Sequence, residues 1–208
     1  MVKKPQQLRI IGGQWRGRKI TFPALAEIRP TPDRVRETLF NWLMPVINGA
    51  YCLDLFTGSG ALGLEALSRG ARHVVMIDKS PVVIEYLRDI CQTFQAGNVT
   101  LQEAEVPEQV ILPPEPFDII FLDPPFHQKL ITMTCAWLEK SPFIKTDTHL
   151  YVEMEKQTPV ELLPDWKIIK TGKTSQIHYY LMKKNPPALR ATPFSKGGER
   201  LFKQIPEN

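Results

Sequence analysis

The chain has 208 residues, a net charge of +4 and 43% apolar residues, enough to bury a sizeable core. It contains no apolar run of about 18 residues, which excludes a membrane span, and its N-terminus lacks the apolar segment of a signal peptide. The three cysteines lie far apart without metal-ligand spacing, which favours buried thiols in a reducing cytoplasm.

Charge is distributed unevenly along the chain. Residues 1–45 contain nine Lys and Arg against three Asp and Glu, and residues 183–208 contain six against two. The segment between them contains eleven against seventeen. Basic ends around an acidic centre predict that the ends contact a polyanion, with nucleic acid favoured over a merely solvated surface.

The first predicted element is a β-hairpin over residues 8–22, where apolar and polar residues alternate around glycines. Its turn lies either at Gly12-Gly13 or around residues 15–17; the spacing leaves both open. For Trp15 the alternatives are stacking on a nucleic-acid base and packing on its own domain. The basic and aromatic residues of this segment predict stacking and phosphate contacts with nucleic acid by Arg9, Trp15, Arg16, Arg18 and Lys19.

After a proline-bounded linker at 23–30, an amphipathic helix begins with Thr31 as its predicted N-cap and Pro32 at its first position. Its apolar stripe consists of Val35, Leu39, Trp42 and Leu43. Arg34 lies off that stripe and Arg36 opposite it. Both arginines are therefore predicted to face solvent or a ligand, and they are candidate nucleic-acid contacts.

From residue 50, apolar runs alternate with helical patterns, which predicts an α/β fold: a mostly parallel sheet with helices on both faces. The predicted strands are 51–56, 73–77, 99–101, 118–122 and 150–154, and the helices between them are 62–68, 82–94 and 130–138. Two later strands, 166–171 and 176–183, predict an antiparallel pair at one edge, joined by a turn at Gly172-Lys173.

A glycine-rich turn follows the first strand of this sheet. Gly58, Gly60 and Gly63 match G-x-G-x-x-G between a strand and a helix, and Asp78 ends the next strand. The pattern predicts a nucleotide-like cofactor whose ribose hydroxyls contact Asp78. Asp54 would repel a pyrophosphate but attract the ammonium and sulfonium of S-adenosylmethionine, so that cofactor is favoured over NAD. Alternatively, Asp54 braces the loop.

The third and fourth strands end in further candidate residues. Glu103 either accepts a hydrogen bond from an adenine amine or is an exposed acid at the end of its strand. The fourth strand ends in Asp123-Pro124-Pro125-Phe126, where neither proline nitrogen can donate a hydrogen bond. The Asp123 side chain and the Pro124 carbonyl are therefore predicted to accept an exocyclic amine. Phe126 either stacks on the base or belongs to the core.

On these motifs the chain resembles the class I S-adenosylmethionine-dependent methyltransferases. More closely, it is similar to the bacterial family that methylates N2 of guanine-966 in 16S ribosomal RNA. The resemblance covers roughly residues 8–183 and rests on the segments 9–17, 29–37, 54–60 and 123–126. The first two segments are distinctive of that family, and the last two are shared widely among amino-methyltransferases.

The resemblance implies a seven-stranded sheet with the last strand inserted antiparallel, and the hairpin as an RNA contact. It implies that Asp123, Pro124 and Phe126 hold the target base, and that the cofactor is bound by Asp54, Gly58, Gly60 and Asp78. We add the adjoining loop residues as candidate cofactor contacts: Phe56, Thr57, Lys79, Glu103 and Ala104. Related enzymes often have a shorter Asp or Asn where this chain has Glu103.

We expect three parts: hairpin and linker at 1–30, the methyltransferase domain at 31–184, and a basic, loosely ordered tail at 185–208 that matches nothing in the family. The expected partner is 16S ribosomal RNA or a small-subunit particle, and the expected protein is a cytoplasmic monomer without metal or membrane. The alternatives are a DNA or RNA adenine-N6 or cytosine-N4 methyltransferase, a protein glutamine methyltransferase, a non-catalytic RNA-binding assembly factor and a dinucleotide oxidoreductase.

Overall fold

The computed structural model describes residues 6–22, 31–125, 128–156 and 165–185. Within these ranges four helices are formed: α1 (Asp33–Leu43), α2 (Ala61–Ser68), α3 (Pro81–Thr93) and α4 (Gln128–Glu139). Two short strands pair in a hairpin, β1 (Gln6–Arg9) and β2 (Lys19–Phe22). The remaining strands are β3 (Tyr51–Asp54), β4 (His73–Asp78), β5 (Val99–Glu103), β6 (Phe117–Leu122), β7 (Ile144–Glu155), β8 (Trp166–Lys173) and β9 (Ile177–Lys184).

These seven strands form one sheet in the order β5-β4-β3-β6-β7-β9-β8. Strands β3 to β7 are mutually parallel, and β9 runs antiparallel to both of its neighbours. The predicted α/β fold with an antiparallel last strand is thus confirmed. The strand order reverses direction between β3 and β6, and in such sheets ligands bind at the carboxyl ends on either side of the reversal.

The central strands are buried on both faces. Successive residues of β6 enter opposite apolar layers: Ile119 packs with α1, α2 and the hairpin, and Ile120 packs with the layer that includes Leu138 of α4. Because both faces are covered, these strands appear in the sequence as continuous apolar runs without alternation. Of the three predicted buried thiols, Cys52 and Cys91 are buried and Cys135 is half-buried.

The hairpin is confirmed, but a long loop rather than a tight turn joins its strands. The amide of Gly17 donates to the carbonyl of Ile10 at 2.9 Å, and the amide of Arg16 donates to the carbonyl of Gly13 at 3.2 Å. Gly13 has φ +75°, and a Cβ atom there would lie 1.7 Å from the carbonyl oxygen of Ser68. Only glycine therefore lets this loop dock against the end of α2.

The predicted start of α1 is wrong. The helix begins at Asp33, and the carbonyl of Pro32, not a side chain of Thr31, accepts from the amides of Val35 and Arg36 at 2.9 and 3.0 Å. The Thr31 hydroxyl instead donates to Asp123, 92 residues away, at 3.0 Å. A threonine before a proline has the local signature of a cap, and the tertiary partner was not visible from it.

The antiparallel pair at the sheet edge is confirmed, but its predicted turn is wrong. Gly172 and Lys173 lie within β8, paired with Tyr179 and His178. The turn follows at Thr174, whose hydroxyl accepts from the amide of Ile177 at 3.1 Å. Gly172 serves packing instead, because a Cβ atom there would lie 2.1 Å from the Tyr179 ring.

The linker at 23–30 and the tail beyond residue 185 lie outside the described residues. Within the described part of the chain, no helix has the length and apolar character needed to cross a membrane.

Candidate active site at the carboxyl edge of the sheet

A cleft of about 910 Å³ opens at the carboxyl edge of the sheet, on both sides of the β3–β6 reversal. Its volume is in the range of small-molecule sites. Its walls come from the segments that follow β3, β4, β5 and β6, from Glu153 within β7, from the start of α1 and from the β8–β9 turn. The predicted site residues that line it are Asp54, Phe56, Thr57, Gly58, Asp78, Lys79, Ala104, Asp123 and Pro124.

Asp78 holds the glycine loop in place. Its two carboxylate oxygens accept from the amides of Gly58 at 3.0 Å and Ser80 at 2.9 Å. Each oxygen can accept more than one hydrogen bond, so this bracing is compatible with a ligand hydroxyl at the same carboxylate. Gly60 does not line the cleft; it has φ +76° before α2, where a Cβ atom would lie 2.6 Å from Leu87. Its contribution is therefore the shape of the loop.

Asp54 is 2% exposed and lies behind the glycine loop. Its Oδ2 accepts from the Thr57 hydroxyl and from the Gly63 amide, both at 3.0 Å. Burial raises the pKa of Asp54 to about 7, against the effect of these two hydrogen bonds, and the nearby Asp123 and Asp78 raise it further. The loop-bracing alternative is therefore observed. Three acids around one cleft would also repel a pyrophosphate and favour a cationic ligand.

Glu103 is exposed and is not part of the cleft wall. Its strand neighbour Ala104 lines the cleft and donates its amide to the carbonyl of Asp78 at 3.0 Å, and Glu105 lines the cleft as well. Glu103 itself, at the end of β5, is exposed to solvent and does not line the cleft. This placement favours the alternative of an exposed acid over the predicted contact with adenine.

Asp123 follows β6 on the opposite side of the reversal. The Thr31 hydroxyl donates to its Oδ2 at 3.0 Å, and Pro124 and Pro125 continue the cleft wall. Burial raises the pKa of Asp123 to about 6, and the hydrogen bond from Thr31 opposes that rise. Phe126 lies outside the described residues.

A second carboxyl group, which the sequence analysis missed, lies next to Asp123. Glu153 of β7 is 6% exposed and lines the cleft, and its Oε2 accepts from the Tyr151 hydroxyl at 2.9 Å. Burial, followed by the charge of Asp123, raises the pKa of Glu153 to about 8. The signal was present in the sequence as a lone acid within the apolar run 150–154.

The structure contradicts the predicted RNA contact of Trp15. Its side chain is buried, with its ring 5.0 Å from that of Phe94, and its backbone amide donates to the Ser68 hydroxyl at 3.0 Å. The hairpin's apolar residues belong to the same core as α1, α2 and α3. Trp15 therefore anchors the hairpin to its own domain, as in the alternative considered for it.

Arg36 was also predicted wrongly, because its side chain is fully buried. It donates to Asp33 at 2.6 Å and to the carbonyl of Arg9 at 2.9 Å, and it lies 3.6 Å from Glu65. Arg36 precedes Phe40 and Leu43 by one and two helical turns, and the docked hairpin covers that face. The other predicted RNA contacts are exposed: Arg9, Arg16, Arg18, Lys19 and Arg34.

No group of acids, histidines and cysteines in the described ranges could hold a metal ion. The arrangement instead offers a braced glycine loop on one side of the cleft and two carboxyl groups on the other. The acids that brace the glycine loop suit a small cationic ligand. The two carboxyl groups on the other side suit a ligand that presents N–H donors.

Comparison with known proteins shows the family of the chain. Residues 8–183 match the model of the family described as conserved hypothetical protein 95. Ribosomal RNA small subunit methyltransferase D of Escherichia coli is 42% identical over 86% of this chain and 94% of its own length. The protein of that name from Haemophilus influenzae is 41% identical over 84% of this chain and 93% of its own. The solved structure of yhhF from Escherichia coli is 41% identical, with a TM-score of 0.79 over 86% of this chain and 99% of that one.

Proposed function

Since the chain belongs to the family described as conserved hypothetical protein 95 and is a methyltransferase, we propose that it methylates N2 of guanine-966 in 16S ribosomal RNA. S-adenosylmethionine is the proposed methyl donor. One observation carries the proposal: Asp123, next to the Pro124 carbonyl, shares a single cleft with the braced glycine loop. Relatives named for methylation of small-subunit ribosomal RNA support the choice of substrate.

The acids around the glycine loop fit the proposed donor. Asp54 and Asp78 would face its methionine and ribose parts, and Lys79 and Ala104 lie further along the same wall. The donor supplies an electrophilic methyl group on a sulfonium. A positive charge beside Asp54 would favour the ionised carboxylate, whose pKa burial has raised to about 7.

Asp123 and the Pro124 carbonyl would each accept an N–H of the target amine. Guanine N2 is a poor nucleophile because its lone pair is delocalised into the ring. Two fixed acceptors that turn the lone pair toward the methyl group lower the barrier to methyl transfer. Correct orientation contributes several kcal/mol, up to roughly 7–11 in favourable cases. The nitrogen becomes cationic during transfer, and Asp123 stabilises that charge and accepts the departing proton. Phe126 is retained as the proposed stacking partner of the unstacked base.

The proposal is tested by incubating the protein with labelled donor and small-subunit RNA or particles from a strain that lacks the enzyme. Mass spectrometry of nuclease fragments should locate one N2-methylguanine at the proposed position. Methylation of an adenine or cytosine would instead favour the alternative amino-methyltransferases. Absence of donor binding in a calorimetric titration would favour the non-catalytic assembly factor.

The exposed basic residues of the hairpin are proposed to contact RNA phosphates. Replacing Arg16, Arg18 and Lys19 with glutamine should weaken RNA binding and flatten its dependence on salt. If all three contact phosphates, the slope of log K against log salt should fall by about 2, since each phosphate contact contributes roughly 0.7 on single strands. Filter binding between 50 and 300 mM salt, on the order of physiological concentrations, measures this slope.

The matched control replaces three exposed lysines away from the hairpin, Lys140, Lys167 and Lys170, with glutamine. This variant has the same change in net charge. Equal slopes in the two variants would mean that only net charge matters, and the hairpin would lose its proposed role.

Activity should depend on the ionisation of Asp123. Its raised pKa means that the carboxylate is present above about pH 6 and protonated below it, so kcat/KM should rise through that pH. The Thr31 hydrogen bond lowers the pKa of Asp123, and Thr31→Val should therefore move the acidic limb to higher pH. A pH profile of single-turnover rates at subsaturating RNA measures the acidic limb in the wild type and in the variant.

Thr38→Val is the control, because the Thr38 hydroxyl donates to the carbonyl of Arg34 on the exposed side of α1. Its profile should coincide with that of the wild type. An acidic limb that does not move in Thr31→Val would show that this hydrogen bond does not set the ionisation of the catalytic acid.

We propose that residues 1–30 serve RNA contact, that 31–184 carry out catalysis, and that the basic tail at 185–208 adds affinity for RNA. A cytoplasmic monomer acting on ribosomal RNA or a small-subunit particle remains the proposed form.

A further inference from the structure

Glu153 is a buried acid in the cleft whose role neither the glycine loop nor Asp123 explains. Strands β6 and β7 are parallel neighbours, with Leu122 paired to Val152. Asp123 follows Leu122 and Glu153 follows Val152, so both acids reach the cleft at the carboxyl edge, close enough for the charge of Asp123 to raise the pKa of Glu153. None of the ion pairs formed within the described ranges includes Glu153.

A buried acid without a cation is unfavourable unless hydrogen-bond donors approach it. Among the described residues one such donor is found, the Tyr151 hydroxyl at 2.9 Å from Oε2. Because Glu153 also lines the cleft, a bound ligand can supply the further donors. The ligand should therefore present two neighbouring N–H groups to two neighbouring carboxyl groups.

Only guanine among the common bases has this pattern at its Watson–Crick edge. Its ring N1–H is adjacent to the exocyclic N2 amine. In adenine and cytosine, the ring nitrogen next to the amine on that edge is an acceptor, which a carboxylate would repel. Resting on the proposed function, we infer that Glu153 determines specificity for guanine by accepting the N1–H while Asp123 holds the N2 amine.

The ionisation of Glu153 also predicts how activity depends on pH. Because its pKa is raised to about 8, the group holds a proton in much of the free protein at neutral pH. The carboxylate is a stronger acceptor of the N1–H than the protonated group, so binding of guanine would favour release of that proton. The groups facing Glu153 are Asp123 from β6, Tyr151 from its own strand and Thr31 through Asp123. Accordingly, kcat/KM should continue to rise between about pH 7 and 8 in the wild type, and this second rise should vanish in Glu153→Gln.

The decisive experiment exchanges the base as well as the acid. Small subunits are reconstituted with 16S RNA in which the target guanine is replaced by 2-aminopurine, which keeps the N2 amine but has an acceptor at N1. Above about pH 8, where Glu153 is a carboxylate, the wild type should prefer guanine by about tenfold to hundredfold in kcat/KM, the value of one good hydrogen-bonded base contact. In Glu153→Gln the preference should fall below about threefold, because the amide can donate to that acceptor.

Glu155→Gln is the matched control: the same substitution two residues further along the same strand, at an exposed position. It should keep the preference and the pH profile of the wild type. Thermal melting and donor titration of Glu153→Gln establish that the variant is folded, and Glu153→Asp provides a second variant if it is not. An unchanged preference for guanine in the folded variant would overturn the inference, even if activity fell on both substrates.

Failure of the inference is distinguishable from failure of the proposed function. If wild-type protein does not form N2-methylguanine in the unsubstituted particle, the proposed function is wrong. If it does, and discrimination against 2-aminopurine is the same in the wild type and Glu153→Gln, only the role of Glu153 is wrong.

Discussion

Asp123→Ala should lower the turnover number by on the order of 10²–10³-fold while the affinity for S-adenosylmethionine stays close to that of the wild type. The change removes the acceptor that orients the amine and the charge that stabilises the cationic nitrogen. Loss of one preorganised electrostatic contact of this kind costs roughly 10²–10³ in rate. Single-turnover methylation with labelled donor measures the rate, and calorimetry measures donor binding.

Two further variants separate charge from geometry. Asp123→Asn keeps one acceptor oxygen but no charge, so its rate should lie between those of the wild type and the alanine variant. Asp89→Ala removes an exposed acid of α3 that does not line the cleft, and its rate should match the wild type. An alanine variant of Asp123 that methylates at the wild-type rate would refute the mechanism.

The parallel strands were predictable because their apolar runs end at breakers and alternate with helical patterns. The same applies to the glycine loop, whose residues are close in sequence and whose spacing reflects one local geometry. Strand ends were harder to place. Gly172 has the local signal of a turn, yet the Tyr179 ring across the strand pair requires glycine there, and the turn lies beyond it.

The residues that were missed or misassigned depend on long-range contacts. Thr31 reaches an acid 92 positions away, and Glu153 meets Asp123 only through the register of β6 and β7. Trp15 and Arg36 were predicted to contact RNA. Local periodicity does not reveal that the hairpin docks on its own domain, nor that it covers the face of α1 where Arg36 lies. A single sequence does not show which distant residues come into contact, whereas it shows local propensities and spacings directly.

Glu65 should be among the residues whose loss destabilises the protein most. It is a fully buried acid on α2, and it accepts from the amides of Ile11 and Gly12, both at 2.8 Å. Arg69 donates to it at 2.7 Å, and the buried guanidinium of Arg36 lies 3.6 Å away. One side chain thus joins the hairpin, α1 and α2, and it shares with Asp33 the pairing of the buried Arg36 charge.

Glu65→Ala should reduce the free energy of unfolding by about 3–5 kcal/mol, because it removes the acceptor of two amides and of Arg69, and one of the two acids paired with the buried Arg36. For a chain of this size the melting temperature should fall by on the order of 10 °C. Differential scanning calorimetry measures the change. Glu65→Gln keeps an acceptor oxygen and should lose less.

Glu85→Ala is the control for Glu65, since Glu85 is an exposed acid on α3 and its loss should change stability by less than about 0.5 kcal/mol. The hairpin gives a second readout. Because Glu65 fixes the loop at Ile11 and Gly12, its removal should increase amide exchange in residues 10–18 more than in β3 or β6. If Glu65→Ala melted within a degree or so of the control, the hairpin would have to be held by its apolar contacts alone, with Leu8, Ile20 and Phe22 sufficient to dock it on the core.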